Sequence, residues 1–270
     1  MTATITLITD FGTQDGYVGA MKGKIVSISP TSDIIDVTHD ISPQSVLQAA
    51  YCLSRSVPHF PPGTIHVVVV DPGVGSARPA ILVKTCSSWL IGPDNGVFSI
   101  LLEKYPPETI IRISSKTAHW QTHTSFDGLA LFAPAAAHLA EGMPLSEIGT
   151  RSSCYEQLHF PRAVEKSNEI EGEIILFDRF GNAITNIHAD FLQKYEHKNV
   201  TILGKSDARC AFQSHYEAGM DDDAIALINS DQLLELSVYC GSMQQKYDLV
   251  IGDKVFVAKT KFGKKEKGGI

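Results

Sequence analysis

The stretch VVVVDPGVGSAR, residues 67–78, sets four consecutive valines against an acid, two glycines and an arginine. A strand with one wet face alternates apolar and polar residues, so a wholly apolar run implies a strand covered on both faces, as in a parallel sheet. The run ends at Asp71, turns through Gly73 and Gly75 and reaches Arg78. A carboxylate and a guanidinium therefore share one tight loop after a buried strand, at the carboxyl ends of the strands where open parallel sheets bind ligands. The loop lacks the Lys-Ser/Thr of a P-loop and the G-x-G-x-x-G spacing of a dinucleotide site, which argues against nucleotide phosphates. An Asp-Arg pair can also be an ordinary surface ion pair, contributing about 0–1 kcal/mol, so this motif alone does not decide the function.

Outward from this loop, strand-like runs at 4–9, 34–37, 65–70, 80–84, 89–92 and 109–113 alternate with helical patterns. That order predicts an α/β domain with a largely parallel central sheet over residues 1–162. Val18, Met21, Ile25 and Ile28 form one apolar helical face. Val46, Ala50, Leu53 and Val57 form another, with Ser42 and Pro43 as its expected N-cap and first turn. A third helix is expected over 129–140, kinked at Pro134. The polar stretch 161–172 reads as a linker, and the short strands beyond it predict an all-β barrel domain over residues 171–258. The lysine- and glycine-rich tail, 259–270, is expected to be mobile.

The chain has 270 residues and a net charge of −7, which argues against a nucleic-acid partner. Its five cysteines show no C-x-x-C pair, so neither a disulfide framework nor a zinc cluster is expected. There is no leader-like N-terminus and no run of 18 apolar residues, so the expected location is the cytoplasm, with no membrane partner.

Polar residues follow apolar runs in four segments: TDFGTQDGY (9–17), DPGVGSAR (71–78), GPDNG (92–96) and FDRFGNAITN (177–186). Together TDFGTQDGYVGAMKG, DPGVGSAR, GPDNG, FAPAAAHLA and DRFGNAITNI, in this order, resemble the S-adenosylmethionine hydroxide adenosyltransferase family, whose relatives include fluorinating and chlorinating enzymes. The resemblance covers nearly the whole chain. It implies an α/β domain, a β-barrel domain, and a homotrimer whose active sites lie between one subunit's first domain and a neighbour's second. The implied reaction is displacement at ribose C5′ of S-adenosylmethionine by water or hydroxide, giving adenosine and L-methionine without a metal or added cofactor.

Family roles transfer by position. Asp10 resembles the carboxylate that holds the ribose hydroxyls, a task for a group with two acceptor oxygens. Asp15 resembles the residue near the methionine amino group, and Asn95, in GPDNG, is counted with the substrate-binding residues. Asp178 and Ser230 resemble methionine contacts, Asn182 matches the asparagine at the adenine edge, and Phe180 and Tyr216 are expected walls of the adenine pocket. The halogenating relatives carry tyrosine at the Asp71 position, whereas the hydrolytic branch carries aspartate with an arginine seven residues on, so Asp71 and Arg78 are expected to hold the attacking water. That branch also carries a histidine where this chain has Asp127, and an Arg-Asp where it has Leu129 and Ala130. Asp127 is thus the expected third catalytic member, with His119 and His123 a few residues upstream. Val238, Tyr239 and Cys240 also depart from the family's small polar turn. Two alternatives stay open: a protein that binds S-adenosylmethionine or adenosine without turnover, and a relative with a changed nucleophile.

Overall fold

The computed structural model describes residues 2–114, 126–193, 199–203, 209–220 and 223–258. The chain divides into two compact units, Met1–His159 and Phe160–Ile270. The tail 259–270 lies outside the described residues, as do His119 and His123.

The first unit is built on a seven-stranded sheet. Its strands are β1 (Thr4–Thr9), β2 (Asp33–Thr38), β3 (Ile65–Val69), β4 (Ala80–Lys84), β5 (Trp89–Pro93), β6 (Thr109–Ile113) and β7 (Gly149–Ser152). They lie in the order β2-β1-β3-β5-β4-β6-β7. The first four run parallel, and β4, β6 and β7 continue the sheet antiparallel. The sheet is therefore mixed, and its parallel part carries the polar loops. The four valines show why β3 sits at the centre. Val67 and Val69 enter one core with Met21, Ile25 and Phe132, while Val68 and Val70 enter the other with Leu53, Phe98 and Leu101. No valine keeps appreciable exposure, as expected of a strand sandwiched between helical layers.

Helix α1 (Tyr17–Ile28) buries Val18, Met21 and Ile25, the predicted stripe. Helix α2 (Val46–Ser56) starts later than expected: its N-cap is Ser45, whose hydroxyl accepts from the Gln48 amide, not Ser42. The chain before it is diverted by Gln44, at φ 66°, whose amide turns toward Asp10. Helix α3 (Ser99–Lys104) follows β5, and α4 (Ala133–Ala140) ends the predicted third helix. Pro134 lies in the first turn of α4, where its missing N–H is harmless, so it does not kink a helix interior. The irregularity comes just before it, in a π-helical turn, Gly128–Phe132, where the Ala133 amide bonds the Gly128 carbonyl five residues back.

The second unit is a closed barrel. Its strands are β8 (Val164–Glu165), β9 (Glu169–Phe177), β10 (Ala183–His188), β11 (Asn199–Leu203), β12 (Arg209–Phe212), β13 (Ile225–Ile228), β14 (Leu233–Ser237) and β15 (Lys254–Ala258). The order β10-β14-β13-β12-β11-β15-β9 closes through pairing of β10 with β9, and β8 adds to β9 outside the ring. Ile170, Ile174, Ile187, Leu234, Leu236, Val255 and Val257 fill the interior. Residues expected to be linker instead form the β8–β9 hairpin, pairing Val164 with Glu171 and Glu165 with Ile170. The alternation Glu169, Ile170, Glu171 explains it, because one face offers a fully buried isoleucine and the other stays polar.

Candidate active site

In the first unit the loop 70–79 joins the carboxyl end of β3 to the start of β4, and Ala80 pairs with Pro93 at the end of β5. Asp71 and Arg78 are thus held by topology at the same end of the sheet, beyond the carboxyl ends of β3 and β5. The loop folds on itself through bonds from the Val74 amide to the Asp71 carbonyl and from the Ser76 amide to the Gly73 carbonyl. Arg78 then grips Asp71 with two nitrogens: Nε donates to Oδ1 at 2.9 Å, and Nη2 donates to Oδ2. Nη1 donates to the Pro79 carbonyl at 3.0 Å, and the guanidinium lies 5.5 Å from the centroid of the buried Phe132 ring. Such a fork-to-carboxylate pair fixes direction as well as charge.

The third member arrives from 49 residues away, where Nη2 of Arg78 also donates to Asp127 Oδ2 at 2.8 Å. Asp127 stands at the head of the π-helical turn, a form of helix irregularity common at functional sites. Gly128 permits the close packing there, since a Cβ would lie 2.5 Å from the Phe126 ring and 3.0 Å from Met21 Sδ. Phe126 packs edge-on against Phe11 and Tyr17, tying the Asp127 segment to the loop after β1. Asp71, Arg78 and Asp127 therefore form one hydrogen-bonded set. Their side chains are 5%, 12% and 23% exposed, so the set is sheltered yet keeps an open side at Asp127.

Asp10 follows β1 directly, beside the end of β3, because Thr9 pairs with Val69. Its Oδ2 accepts from the Gln44 amide at 2.8 Å. Asp15 is exposed in the turn before α1. Asn95 serves the scaffold, its amide donating to the Val70 carbonyl at 2.9 Å and its Oδ1 accepting from the Val97 amide at 3.2 Å. It links the loops after β3 and β5, with no side-chain bond to the Asp71 set. A network not expected from the sequence underlies the Asp10 loop. The Thr9 hydroxyl meets His39 Nδ1 at 2.9 Å, His39 Nε2 lies 3.0 Å from Asp36 Oδ1, and the Gly12 amide donates to the His39 carbonyl at 2.8 Å. Burial pushes the Asp36 carboxyl up, but its hydrogen bonds to Lys22 and His39 outweigh this and hold it below the usual carboxylate range.

In the second unit Asp178, Phe180, Asn182, Tyr216, Val238, Tyr239, Cys240 and Gly241 line a cavity of about 550 Å³. That lies within the range of sites that enclose a small organic ligand. The β9–β10 turn is shaped by Asp178, whose Oδ1 accepts from the Phe180 and Asn182 amides and whose Oδ2 accepts from Asn182 Nδ2, each at 2.9 Å. Gly181, at φ 83°, completes the turn, and a Cβ there would strike Ser242 Oγ at 2.1 Å. Phe180 projects with 76% of its surface exposed, an uncovered aromatic face at the cavity rim. Ser230 lies exposed on the β13–β14 turn and is not among the lining residues. Val238, Tyr239 and Cys240, noted in the sequence as a departure, form one wall with Gly241, whose amide bonds the Val238 carbonyl at 3.1 Å. Sequence reasoning missed Glu235, buried behind Tyr216. Its only signal was an acid between two leucines in a strand that is almost wholly buried.

Among the described residues, no group of three or more His, Cys, Asp or Glu side chains is arranged to hold a metal ion. No helix of the described residues is long and apolar enough to cross a membrane.

The fold and these two sites define a two-unit α/β-plus-barrel protein with a carboxylate–guanidinium set at the end of the sheet and an aromatic-rimmed cavity in the barrel. Residues 5–149 match the SAM hydroxide adenosyltransferase N-terminal domain, and residues 172–256 match its C-terminal domain. The chain belongs to this family. It is 36% identical to a protein of Methanocaldococcus jannaschii named (R)-S-adenosyl-L-methionine hydrolase, over 87% of this chain and 88% of that one. A Thermus thermophilus protein of the same name is 32% identical over 92% of this chain and 96% of its own. Among solved structures, an uncharacterized conserved protein from Thermotoga maritima superposes with a TM-score of 0.85 at 33% identity, covering 94% of this chain and all of that one.

Proposed function

We propose that this protein hydrolyses S-adenosyl-L-methionine to adenosine and L-methionine. The observation that carries the reading is the Asp71–Arg78–Asp127 set. Relatives at 32–36% identity carry that hydrolase name, which supports the same substrate here. The oxygen of water bonds to C5′ as the C5′–S bond breaks, and the bonding electron pair leaves on sulfur as the neutral thioether of methionine. The water proton passes to a carboxylate of the set and then to solvent. Such a reaction needs an aligned nucleophile in a sheltered pocket more than covalent help from the protein. Arg78 fixes both carboxylates, and Asp127, the more open of the two, accepts the proton. Asp10 holds the ribose hydroxyls, Asp15 and Asp178 meet the methionine end, and Asn182 with Phe180 and Tyr216 receives the adenine. Ser230 is assigned to the methionine end by resemblance alone, and Asn95 acts by positioning its loop.

The working form is a homotrimer in the cytoplasm that needs no metal or added cofactor. Sedimentation giving three chains, and activity unchanged by chelator, are the expected results.

The deciding experiment incubates the protein with S-adenosylmethionine in ¹⁸O-water and analyses the products chromatographically and by mass. Adenosine labelled at its 5′-hydroxyl, with unlabelled methionine, is expected. Asp71→Asn should abolish turnover and leave adenosine binding intact. Intact substrate recovered from the wild-type protein, or equal loss of binding and turnover in the variant, refutes the assignment.

A further inference from the structure

Glu235 is 3% exposed, and among the described residues no Lys or Arg side chain bonds it. Its carboxyl oxygens accept from three neutral donors instead: Tyr216 Oη at 2.7 Å and Ser237 Oγ at 3.0 Å on Oε1, and Asn229 Nδ2 at 3.3 Å on Oε2. A buried acid without a cationic partner is costly unless its hydrogen bonds are complete, and a leucine would fill a barrel strand position more cheaply. Its presence there points to a task other than stability.

That task is visible at the far end of the network. Tyr216 stands on a single 3-10 turn, Tyr216–Gly219, and its ring lines the barrel cavity while remaining 45% exposed. Apolar packing leaves a half-exposed ring on one turn free to swing; a hydroxyl anchored at 2.7 Å does not. Glu235 lies on β14, whose continuation, Val238 to Gly241, forms the adjoining wall. Asn229 secures the other end of the same hairpin, its Oδ1 accepting from the Asp231 and Leu233 amides. The carboxyl group of Glu235 therefore anchors one wall of the cavity, while the strand that carries it continues into the other.

We infer that Glu235 is a positioning residue that fixes the Tyr216 ring as a rigid aromatic wall, so that the barrel cavity selects a flat heteroaromatic ring. This deepens the proposed function, since it rests on adenine occupying that cavity. Stacking depends on the ring plane, so a freed Tyr216 weakens binding of the base while leaving bond breaking at the Asp71 and Asp127 carboxylates unchanged.

The experiment compares wild type, Glu235→Gln, Glu235→Leu, Tyr216→Phe and the double variant Glu235→Leu with Tyr216→Phe. Calorimetric titration with adenosine is paired with kcat and KM for S-adenosylmethionine. Ultraviolet difference titration, referenced to Tyr216→Phe, follows the Tyr216 hydroxyl. Burial and the bond to Glu235 push this hydroxyl above the ordinary phenol range. Glu235→Leu and Tyr216→Phe should each weaken adenosine about five- to tenfold, and the double variant no more than either alone. KM should rise with kcat unchanged, Glu235→Gln should bind close to wild type, and Glu235→Leu should return the Tyr216 titration toward the ordinary range. Additive losses, or wild-type adenosine affinity in Glu235→Leu, overturn the inference. A kcat that falls with unchanged KM does the same. A wild-type protein that binds adenosine without turning over S-adenosylmethionine overturns the hydrolase reading and leaves this inference standing. One that binds no adenosine overturns both.

Discussion

Removing the Asp127 side chain tests the chemistry most directly, because Asp127 is the more open carboxylate of the set and the member for which the family resemblance implies a histidine. In Asp127→Ala the guanidinium keeps its two bonds to Asp71, so the loop 70–79 should fold unchanged. What disappears is one charge-assisted bond of 2.8 Å and the more open carboxylate beside the proposed water. A hydrogen bond to a charged group contributes about 1.5–3 kcal/mol, which corresponds to about 10- to 150-fold in rate if it acts in the transition state. With 23% of the Asp127 side chain exposed, screening is partial and the lower half of that range applies to position alone. Loss of the proton acceptor adds to it, so the full effect should reach the upper end. Asp127→Asn keeps an oxygen that can accept from Arg78 but cannot take the proton, and so separates the two contributions. Asp127→His should turn over within about tenfold of wild type, because imidazole can serve as the base. The assay is single-turnover formation of adenosine at saturating S-adenosylmethionine, with circular dichroism to verify folding. The reasoning fails if Asp127→Ala turns over at the wild-type rate, or if its loss lies wholly in KM.

Asp178→Ala should loosen the β9–β10 turn, which loses three acceptor contacts, and weaken adenosine by about tenfold; calorimetry that finds unchanged affinity removes this cavity from the substrate site. His66 gives a pH prediction. It is fully buried against the Thr6 hydroxyl, and burial pulls its pKa from 6.5 down to about 4. The unfolded chain therefore binds the proton first, so stability is whole above pH 6.5 and is lost as pH falls toward 4. Linkage sets the loss at about 3 kcal/mol by the bottom of that window. Denaturant unfolding of wild type and His66→Leu across the window should show this slope in the wild type only; equal slopes exclude His66 as the cause.

Much of the first unit was legible because its signals are local. The valines of β3, the α1 stripe and the strand boundaries all follow from burial on one face or two. The start of α2 was misread because Ser42-Pro43 carries good capping chemistry, and only the pull of the Gln44 amide toward Asp10 shows that the chain turns first. The β8–β9 hairpin was hidden for a similar reason: its glutamates read as linker until pairing sends Ile170 inward.

The candidate site divides along the same line. Asp71 and Arg78 could be linked from sequence, since a separation of seven residues in one tight loop leaves them few ways to avoid each other. Asp127 could be named by resemblance, but its bond to Arg78 depends on a π-helical turn and on the Phe126, Phe11 and Tyr17 rings packing together. Glu235 and His39 were illegible, because a buried acid or imidazole in a strand acquires meaning only from partners that other segments supply. By itself the sequence determined the fold class, the family and the residue types at the end of the sheet, all of which rest on short-range pattern. The tertiary structure alone decided which polar groups share protons and which rings are held still, because hydrogen bonds require approach to about 3 Å and such contacts join distant parts of the chain.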